Sequence, residues 1–281
     1  MTATDAAARP TPRETGIRLT FAGTVRSEWI KLRTLRSTWW VVASTVVVMA
    51  LIALLTSWTF TSFSDDPEFA AQSGGTPAPM ELVTSGTTFA QLVLAVLAVL
   101  TITNEFSSGM IRSTFAADPG RSATVWAKAL VLLVVSLVVA VVGVVVAYLV
   151  AWPFLNSSDM LPDLGSSDSL QVAGGTVAYL VLSALMALGL AGLIRSTAGS
   201  IFTVVALVFV APPILSLISN DTVQSIAQYL PSNAGTSFMT VSAAMSGGAQ
   251  TLDPVPGLLV MVAWAVVPMV AANVVVKRRD A

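Results

Sequence analysis

Residues 129–152, ALVLLVVSLVVAVVGVVVAYLVAW, contain no charged side chain and run longer than the roughly 18 residues that mark a membrane-spanning helix. Five further uncharged stretches of comparable length lie elsewhere in the chain. In lipid such a segment satisfies its own backbone hydrogen bonds by forming a helix. The sequence therefore predicts an all-α membrane protein whose transmembrane domain, residues 39–277, crosses six times, at about 39–60, 86–104, 129–152, 172–194, 198–219 and 255–276.

The composition restricts the function as well as the fold. Hydrophobic residues make up 55% of the chain and charged residues 10%, whereas a soluble domain carries about 25% charged residues. The chain has no cysteine and no histidine. Thiol nucleophiles, thiolate metal sites and the commonest general base are therefore excluded. We expect neither a metal site nor catalytic residues.

The basic residues predict the orientation of the six crossings. All 14 lysine and arginine residues lie in four segments, which alternate with three segments that contain only acidic charges. Basic loops stay on the cytoplasmic side of a membrane, so both chain ends are predicted to be cytoplasmic. The four segments contain Arg9, Arg13, Arg18, Arg26, Lys31, Arg33 and Arg36; Arg112, Arg121 and Lys128; Arg195; and Lys277, Arg278 and Arg279.

A seventh uncharged stretch, residues 222–252, is assigned to the outside of the membrane. It contains Pro231, Gly247 and Gly248 together with several polar side chains. A broken backbone and polar side chains are both costly in lipid. A crossing here would also place the basic C-terminus outside, against the distribution of basic residues. We predict an external segment over 221–253 that is partly re-entrant or lies on the membrane surface.

The chain before the first crossing divides into two parts. Residues 1–18 lack apolar periodicity and are predicted to be a disordered cytoplasmic tail. Over residues 19–38, apolar residues recur at helical spacing beside basic ones, which predicts an amphipathic helix in the headgroup layer. An ordinary positive flank that only fixes the topology is the alternative. The interface residues of the predicted helix are Arg26, Trp29, Lys31 and Arg33.

The six predicted crossings carry no charged residue between their ends. A proton- or sodium-coupled transporter needs such a group, and an intramembrane enzyme needs a nucleophile with a base. Glu105 and Arg195 lie at inner boundaries, where snorkelling of the side chain or solvation in a loop would account for them. The chain also lacks the G-x-x-x-x-G-K-[ST] phosphate-binding loop. If the protein moves a substrate actively, another subunit must supply the energy.

The internal loop over residues 105–128 is where another subunit could act. Its first part, EFSSGMIRSTFAADPGR (105–121), has apolar residues at i, i+4 spacing and ends near Pro119 and Gly120. A short cytosolic helix with an apolar face and an exposed Arg112 suits docking into a groove of a partner. A solvated loop without a partner fits the periodicity equally well.

The sequence has three informative segments, residues 28–39, 105–128 and 229–235, and together they resemble the permease subunits of ABC-2 type transporters. Residues 28–39, EWIKLRTLRSTW, resemble the N-terminal elbow helix of bacterial members. Residues 229–235, YLPSNAG, resemble the segment before their last helix. The loop between the second and third helices of that family typically has Glu, Gly, Pro and Lys in the order found here, as Glu105, Gly109, Pro119 and Lys128.

The resemblance implies an ABC-2, type V exporter-like architecture in a bacterial plasma membrane. Two permease chains, identical or related, would pair and contact lipid and two ATPase subunits, without nucleic acid. ATP and magnesium would bind to the ATPase, so this chain would bind no cofactor and would not be an enzyme. Tyr229, Pro231 and Asn233 would belong to an external gate. The loop would couple to the ATPase through Glu105, Gly109, Met110, Ile111, Arg112, Phe115, Pro119 and Arg121, although many members have Thr in place of Met110.

The expected function is a permease that exports a hydrophobic or amphipathic compound with energy from a separate ATPase. The residues identify neither the substrate nor its binding site. Two alternatives remain open. The first is a membrane scaffold or sensor subunit of a resistance system. The second is a membrane enzyme, which the missing histidine, cysteine and intramembrane carboxylates disfavour.

Overall fold

The computed structural model describes residues 20–64, 66, 68–69, 75–110, 122–242 and 252–278. Within these residues the chain forms helices and turns without any strand. The main helices, in chain order, are α1 (Phe21–Thr34), α2 (Arg36–Phe63), α3 (Pro79–Thr84), α4 (Thr87–Ser107), α5 (Ser122–Ser157), α6 (Ser167–Ile194), α7 (Thr197–Val205), a π-helical turn (Ala206–Val210), α8 (Ala211–Ser216), α9 (Asp221–Ala227), α10 (Pro231–Met239) and α11 (Pro254–Arg278).

Six helical units among the described residues are long and apolar enough to cross a membrane, which confirms the predicted all-α fold with six crossings. They are α2, α3 with α4, α5, α6, α7 with α8, and α11. Ser85 and Gly86 keep right-handed helical backbone angles between α3 and α4, so Pro79–Ser107 forms one rod. The fifth unit ends at Ser216, before the predicted residue 219.

The predicted amphipathic helix over 19–38 is two helices in the structure. α1 follows Thr20, whose side-chain oxygen accepts a hydrogen bond from the Gly23 amide at 3.2 Å. It ends at Thr34, because Leu35 has extended backbone angles, and α2 begins at the next residue. The cap at its N-terminus and the extended residue after its C-terminus make α1 a separate elbow helix before α2. The predicted tail, residues 1–18, lies outside the described residues.

Small residues let the crossings approach one another closely. A Cβ on Gly143 of α5 would lie 2.5 Å from Met49 Sδ of α2, and one on Gly86 would lie 2.7 Å from Met49 Cα. Small side chains at helical spacing allow backbones to meet in this way within lipid. Between residues 136 and 151 the buried face of α5 carries five of them, namely Ser136, Ala140, Gly143, Ala147 and Ala151.

The fifth crossing is irregular beside its two consecutive prolines. Pro212 and Pro213 have no amide hydrogen to donate to the preceding turn. The chain passes through the π-helical turn directly before them, and such a turn is a common local distortion of an α-helix. By contrast, Pro153 and Pro268 lie inside α5 and α11 without ending either helix.

The segment after the fifth crossing contains the two short helices α9 and α10. α10 packs against α6 and α11. A Cβ on Gly175 of α6 would lie 2.3 Å from the carbonyl oxygen of Phe238 in α10. Because this contact is with backbone rather than with a flexible side chain, α10 lies as close to α6 as a glycine permits.

Replacing Gly175 with alanine is expected to lower the free energy of unfolding by about 1–3 kcal/mol, the usual effect of overpacking. The added methyl group fits only if α10 moves away from α6. Gly174→Ala is the matched control, because nothing lies within 4 Å of a Cβ at that position. Unfolding of both variants in detergent micelles, followed by circular dichroism, measures the difference. Equal stability of the two variants would contradict the close packing.

Candidate functional site

Four charged side chains meet in the interior at one end of the bundle. Lys128 Nζ donates hydrogen bonds to Glu28 Oε2 at 2.6 Å and to Glu105 Oε1 at 2.7 Å. Lys31 Nζ donates to Glu28 Oε1 at 2.7 Å and to Glu105 Oε1 at 2.9 Å. We call these four residues the ion cluster. Its two carboxylates and two ammonium groups have a combined formal charge of zero.

Three helices position the ion cluster. Glu28 and Lys31 are one turn apart on α1. Glu105 lies in the last turn of α4, and Lys128 lies in the second turn of α5. Lys128 also donates to the Thr101 carbonyl oxygen at 3.4 Å, so each of its three N–H groups has an acceptor. Buried charges persist in a folded protein when they are paired and hydrogen-bonded in this way.

The prediction that Glu105 is solvated at the membrane boundary is wrong. Glu105 is 6% exposed and Lys128 is 4% exposed. Leu32 of α1 and Val131 of α5 line the same space with apolar surface. The predicted crossings stop at residue 104 and begin again at residue 129, whereas the helices continue through both charges.

Lys31 is the exposed member of the ion cluster, with 37% of its side chain accessible. Partial burial acts to lower the pKa of Lys31, but the hydrogen bonds and charges of Glu28 and Glu105 outweigh it and hold the pKa above the ordinary value of 10.5. A raised lysine pKa contributes stability that is complete below the ordinary value and is lost as pH rises through the folded value. Lys31 therefore contributes fully at neutral pH and loses its contribution only in strong alkali.

The predicted coupling residues divide between the ion cluster and the start of the loop. Glu105 belongs to the cluster. Gly109 follows α4 with a left-handed φ of 72°, which is a common helix ending, and the Met110 side chain is exposed. The remaining predicted coupling residues lie outside the described residues: Ile111, Arg112, Phe115, Pro119 and Arg121.

The four predicted interface residues of α1 lie on two different faces. Lys31 contacts Glu28 and the rest of the ion cluster. Arg26, Trp29 and Arg33 are exposed, and their spacing of i, i+3 and i+7 places them on one stripe of the helix. One face of α1 therefore holds the bundle together, and the other presents two arginines and an indole outward.

Arg195, also expected to be solvated, makes a contact with α4. It ends α6 with a left-handed φ of 58°, and its guanidinium carbon lies 5.0 Å from the centre of the Phe106 ring. A cation over an aromatic face is attracted by the ring quadrupole. Thr197 Oγ1 adds a hydrogen bond to Thr103 Oγ1 at 2.9 Å. The α6–α7 turn is thereby attached to the same end of α4 as the ion cluster.

A buried acidic residue also lies at the opposite end of the α3–α4 rod. Glu81 is 1% exposed, and its Oε1 accepts hydrogen bonds from the Val241 and Ser242 amides at 2.7 and 2.9 Å. Its Oε2 accepts from the Ala78 amide at 2.9 Å and from the Ser242 hydroxyl. We call this group the Glu81 clasp. It joins the start of α3 to the chain that follows α10.

The three predicted gate residues have contacts that shape the segment around α10. The Tyr229 carbonyl oxygen accepts a hydrogen bond from Trp264 Nε1 at 2.8 Å, while the Tyr229 ring is half exposed. Pro231 begins α10, where its missing amide hydrogen leaves no bond unmade. Asn233 Nδ2 donates to the Ala227 carbonyl oxygen at 2.8 Å. Asn233 therefore joins α10 to α9.

Three charged residues of the ion cluster and the Glu81 clasp fall outside the predicted site residues: Glu28, Glu81 and Lys128. The spacing of Glu28 and Lys31 is a visible signal for an ion pair along a helix. Glu81 follows Pro79 at a helix start, where an acidic side chain is favoured. Neither pattern identifies the residues elsewhere in the chain that contact Glu28 or Glu81. The sequence therefore indicates these two charged residues but not their contacts.

Both groups attach separate parts of the chain to one another. The Ser242 hydroxyl of the Glu81 clasp donates to the Glu81 carboxylate, but that carboxylate also accepts hydrogen bonds from three backbone amides, so its oxygens serve to hold the backbone. Within the described residues there is no group of three or more His, Cys, Asp or Glu side chains that could hold a metal ion. The two groups hold helices and loops in fixed relation at the two ends of one rod.

Comparison with known families finds a match that covers the ion cluster and Glu81, but not Val241 and Ser242 of the Glu81 clasp. The family model described as ABC-2 family transporter protein matches residues 24–218, which is more than half of the 281 residues. The matched region begins within α1, contains the whole ion cluster and Glu81, and ends just after α8. A search of curated proteins finds no match.

Proposed function

This chain belongs to the ABC-2 family of transporter proteins, and from that premise we propose that it is an exporter permease driven by a separate ATPase subunit. Family membership makes it a membrane permease subunit of an ABC transporter. In the proposal two permease chains assemble with two ATPase subunits. ATP and magnesium bind to the ATPase, and this chain binds no cofactor.

The proposal places the end of the bundle with the ion cluster in the cytoplasm of a bacterial cell. Basic loops are retained on the cytoplasmic side of a membrane. Both chain ends and loop 105–128 then face the cytoplasm, where an ATPase can reach them. The exposed basic residues of the described chain at this end are Arg26, Arg33, Arg36, Lys277 and Arg278.

The ion cluster is the observation that carries the proposal. The loop leaves α4 soon after Glu105 and enters α5 shortly before Lys128, and a 2.7 Å hydrogen bond joins these two side chains. A partner that displaces the loop therefore moves α4 and α5 together. Glu28 and Lys31 attach the elbow helix α1 to the same unit. Such a unit is suited to receive the movement of an ATPase.

The α3–α4 rod would carry that movement to the other side of the membrane. Its far end holds Val241 and Ser242 through the Glu81 clasp, so the chain after α10 is expected to follow the rod. In the proposal Tyr229, Pro231 and Asn233 belong to the external gate. The cargo is proposed to be hydrophobic or amphipathic, because the crossings present apolar side chains.

Reversing the charge of Arg112 is expected to reduce co-purification of the ATPase by at least about tenfold, as loss of a close charge pair at an interface usually does. Arg112→Glu is made in the full chain and co-expressed with an ABC ATPase subunit that co-purifies with the unaltered chain. Arg278→Glu is the matched control, because Arg278 is exposed at the same end of the bundle. Unchanged recovery of the ATPase with Arg112→Glu would count against docking on this loop.

ATP-dependent movement of a probe separates an exporter from a scaffold or sensor subunit. The complex is reconstituted in inside-out liposomes with a fluorescent amphipathic dye as the probe. An exporter concentrates the dye when ATP is added, and the effect requires both subunits. A complex that hydrolyses ATP without moving any of a panel of such dyes would favour the scaffold or sensor instead.

A further inference from the structure

A groove beside the elbow helix has no part in the proposed function. It has a volume of about 380 Å³ and lies on the outside of the bundle, where α1, α2 and α5 meet. Leu32 lines both the groove and the space beside the ion cluster, but none of the four charged residues of the ion cluster lines the groove. The residues that define it are Trp29 and Arg33 of α1, Trp39 and Val42 of α2, and Val138 and Val139 of α5. We call it the elbow groove.

The elbow groove has one charged end and is otherwise mainly apolar. Arg33 is exposed, and within the described part of the chain its guanidinium makes no ion pair. Trp39 Nε1 donates to the Arg33 carbonyl oxygen at 3.0 Å, so the polar edge of this indole is already satisfied. The ring itself is left to contact an apolar ligand.

The charge around the elbow groove is positive rather than balanced. Lys31 is neutralised by Glu28 and Glu105 within the ion cluster. Arg26, Arg33 and Arg36 are exposed on or next to α1, and none of the ion pairs among the described residues involves them. The groove is therefore complementary to an anionic group.

The elbow groove is also deep enough for a lipid headgroup and the adjoining part of an acyl chain. Arg33 precedes the first residue of α2, at the start of the first crossing. Val42 lies two turns into α2, about 9 Å along the helix axis. Val138 lies ten residues after Lys128, about 15 Å along the axis of α5. Because a crossing spans about 30 Å of hydrocarbon, the groove runs from the headgroup layer well into the nearer half of the acyl region.

We propose that the elbow groove binds a phospholipid with a net negative headgroup. Its phosphate contacts Arg33, and one acyl chain lies between α2 and α5 against Val42 and Val138. A zwitterionic lipid would bring an amine toward a surface that is already positive, so an anionic lipid is preferred. Binding of this lipid requires neither the proposed transport activity nor an ATPase.

Lipid retention by the purified full chain tests this site. The chain is extracted from membranes containing phosphatidylglycerol and phosphatidylcholine, and bound lipid is counted by native mass spectrometry. Arg33→Gln is expected to reduce retained phosphatidylglycerol about fivefold, the effect of one basic residue at an anionic surface. Arg278→Gln, an exposed basic residue at the same end, is expected to change it little. Equal effects of the two substitutions would overturn the site.

A second variant separates a groove from a merely charged surface. Val138 is 55% exposed and lines the groove, so Val138→Trp fills it without changing charge or a buried contact. The variant is expected to lose phosphatidylglycerol as Arg33→Gln does. Full retention by Val138→Trp would reduce the proposal to surface charge and overturn it. Displacement of the lipid by millimolar inorganic phosphate would identify an anion site only, and would also overturn it.

Discussion

Replacement of Lys128 with methionine is expected to lower the free energy of unfolding by about 3–5 kcal/mol, the usual effect of removing one partner of a buried ion pair. Lys128 donates to both Glu28 and Glu105. Without it, two buried carboxylates share the single ammonium group of Lys31. Methionine keeps the length and apolar stem of the side chain, so lost packing contributes little. Unfolding in mixed micelles, followed by circular dichroism, measures the change.

The control for Lys128→Met is Lys277→Met, because Lys277 is exposed in the last turn of α11. Its effect is expected to stay within about 0.5 kcal/mol, as for most surface substitutions. If Lys128→Met lowered the free energy of unfolding by as little as Lys277→Met, the buried ion pairs would contribute nothing measurable to stability.

A double-mutant cycle isolates the pair from the rest of the ion cluster. Glu105→Gln removes the second carboxylate, so the double variant Lys128→Met with Glu105→Gln leaves Glu28 paired with Lys31 and the cluster neutral. The two substitutions are expected to be less damaging together than their separate effects predict, by about 1–3 kcal/mol. Additive effects would mean that Lys128 and Glu105 do not interact.

The same double variant also tests the proposed coupling. The chain is expected to fold and to retain the ATPase, because the loop itself is unchanged. Movement of the dye per ATP hydrolysed is expected to fall, since α4 and α5 are no longer joined beside the loop. A double variant that transports normally would show that the ion cluster stabilises the fold without transmitting movement.

Replacement of Glu81 with alanine is expected to have the second largest effect, about 2–4 kcal/mol, because several donors lose their acceptor. The amides of Val241, Ser242 and Ala78 all donate to this carboxylate. Charged acceptors make stronger hydrogen bonds than neutral ones. Unlike the hydrogen bonds lost with Lys128, those lost with Glu81 all lie at one junction, where the chain after α10 meets α3.

Amide hydrogen exchange at Val241 and Ser242 measures that junction directly. Local opening of the clasp exposes these two amides, so Glu81→Ala is expected to accelerate their exchange about 100-fold, the equivalent of roughly 3 kcal/mol. Glu81→Gln keeps one oxygen acceptor and places an amide group beside the Ala78 donor, so an intermediate effect is expected. Asp253→Ala is the control, because Asp253 is acidic and exposed at the same end. Unchanged exchange in Glu81→Ala would contradict the clasp.

Much of the fold follows from short stretches of sequence. The free energy of transferring a side chain from water to lipid is a property of that side chain, and a crossing needs only about 20 consecutive apolar residues. The six crossings are therefore local properties, and the structure confirms them. The elbow also has a local cause in its cap at Thr20, although the break at Leu35 has no strong signal in the sequence. The helices of the second and third crossings continue through Glu105 and Lys128, because a charged side chain that is paired does not end a helix.

The candidate site depends on contacts between distant parts of the chain. Lys128 meets Glu28 across 100 positions and Glu105 across 23, and Glu81 meets Ser242 across 161. Charge and helical spacing show that Glu28 and Lys31 can pair, and that Arg26 and Arg33 share a stripe. They do not show which residues of other helices face them, because that depends on how six helices pack. The sequence by itself determined the crossings and the distribution of basic residues. Only the tertiary structure decided which charges are buried and paired, because a charge enters an apolar interior only where its partner is already in place.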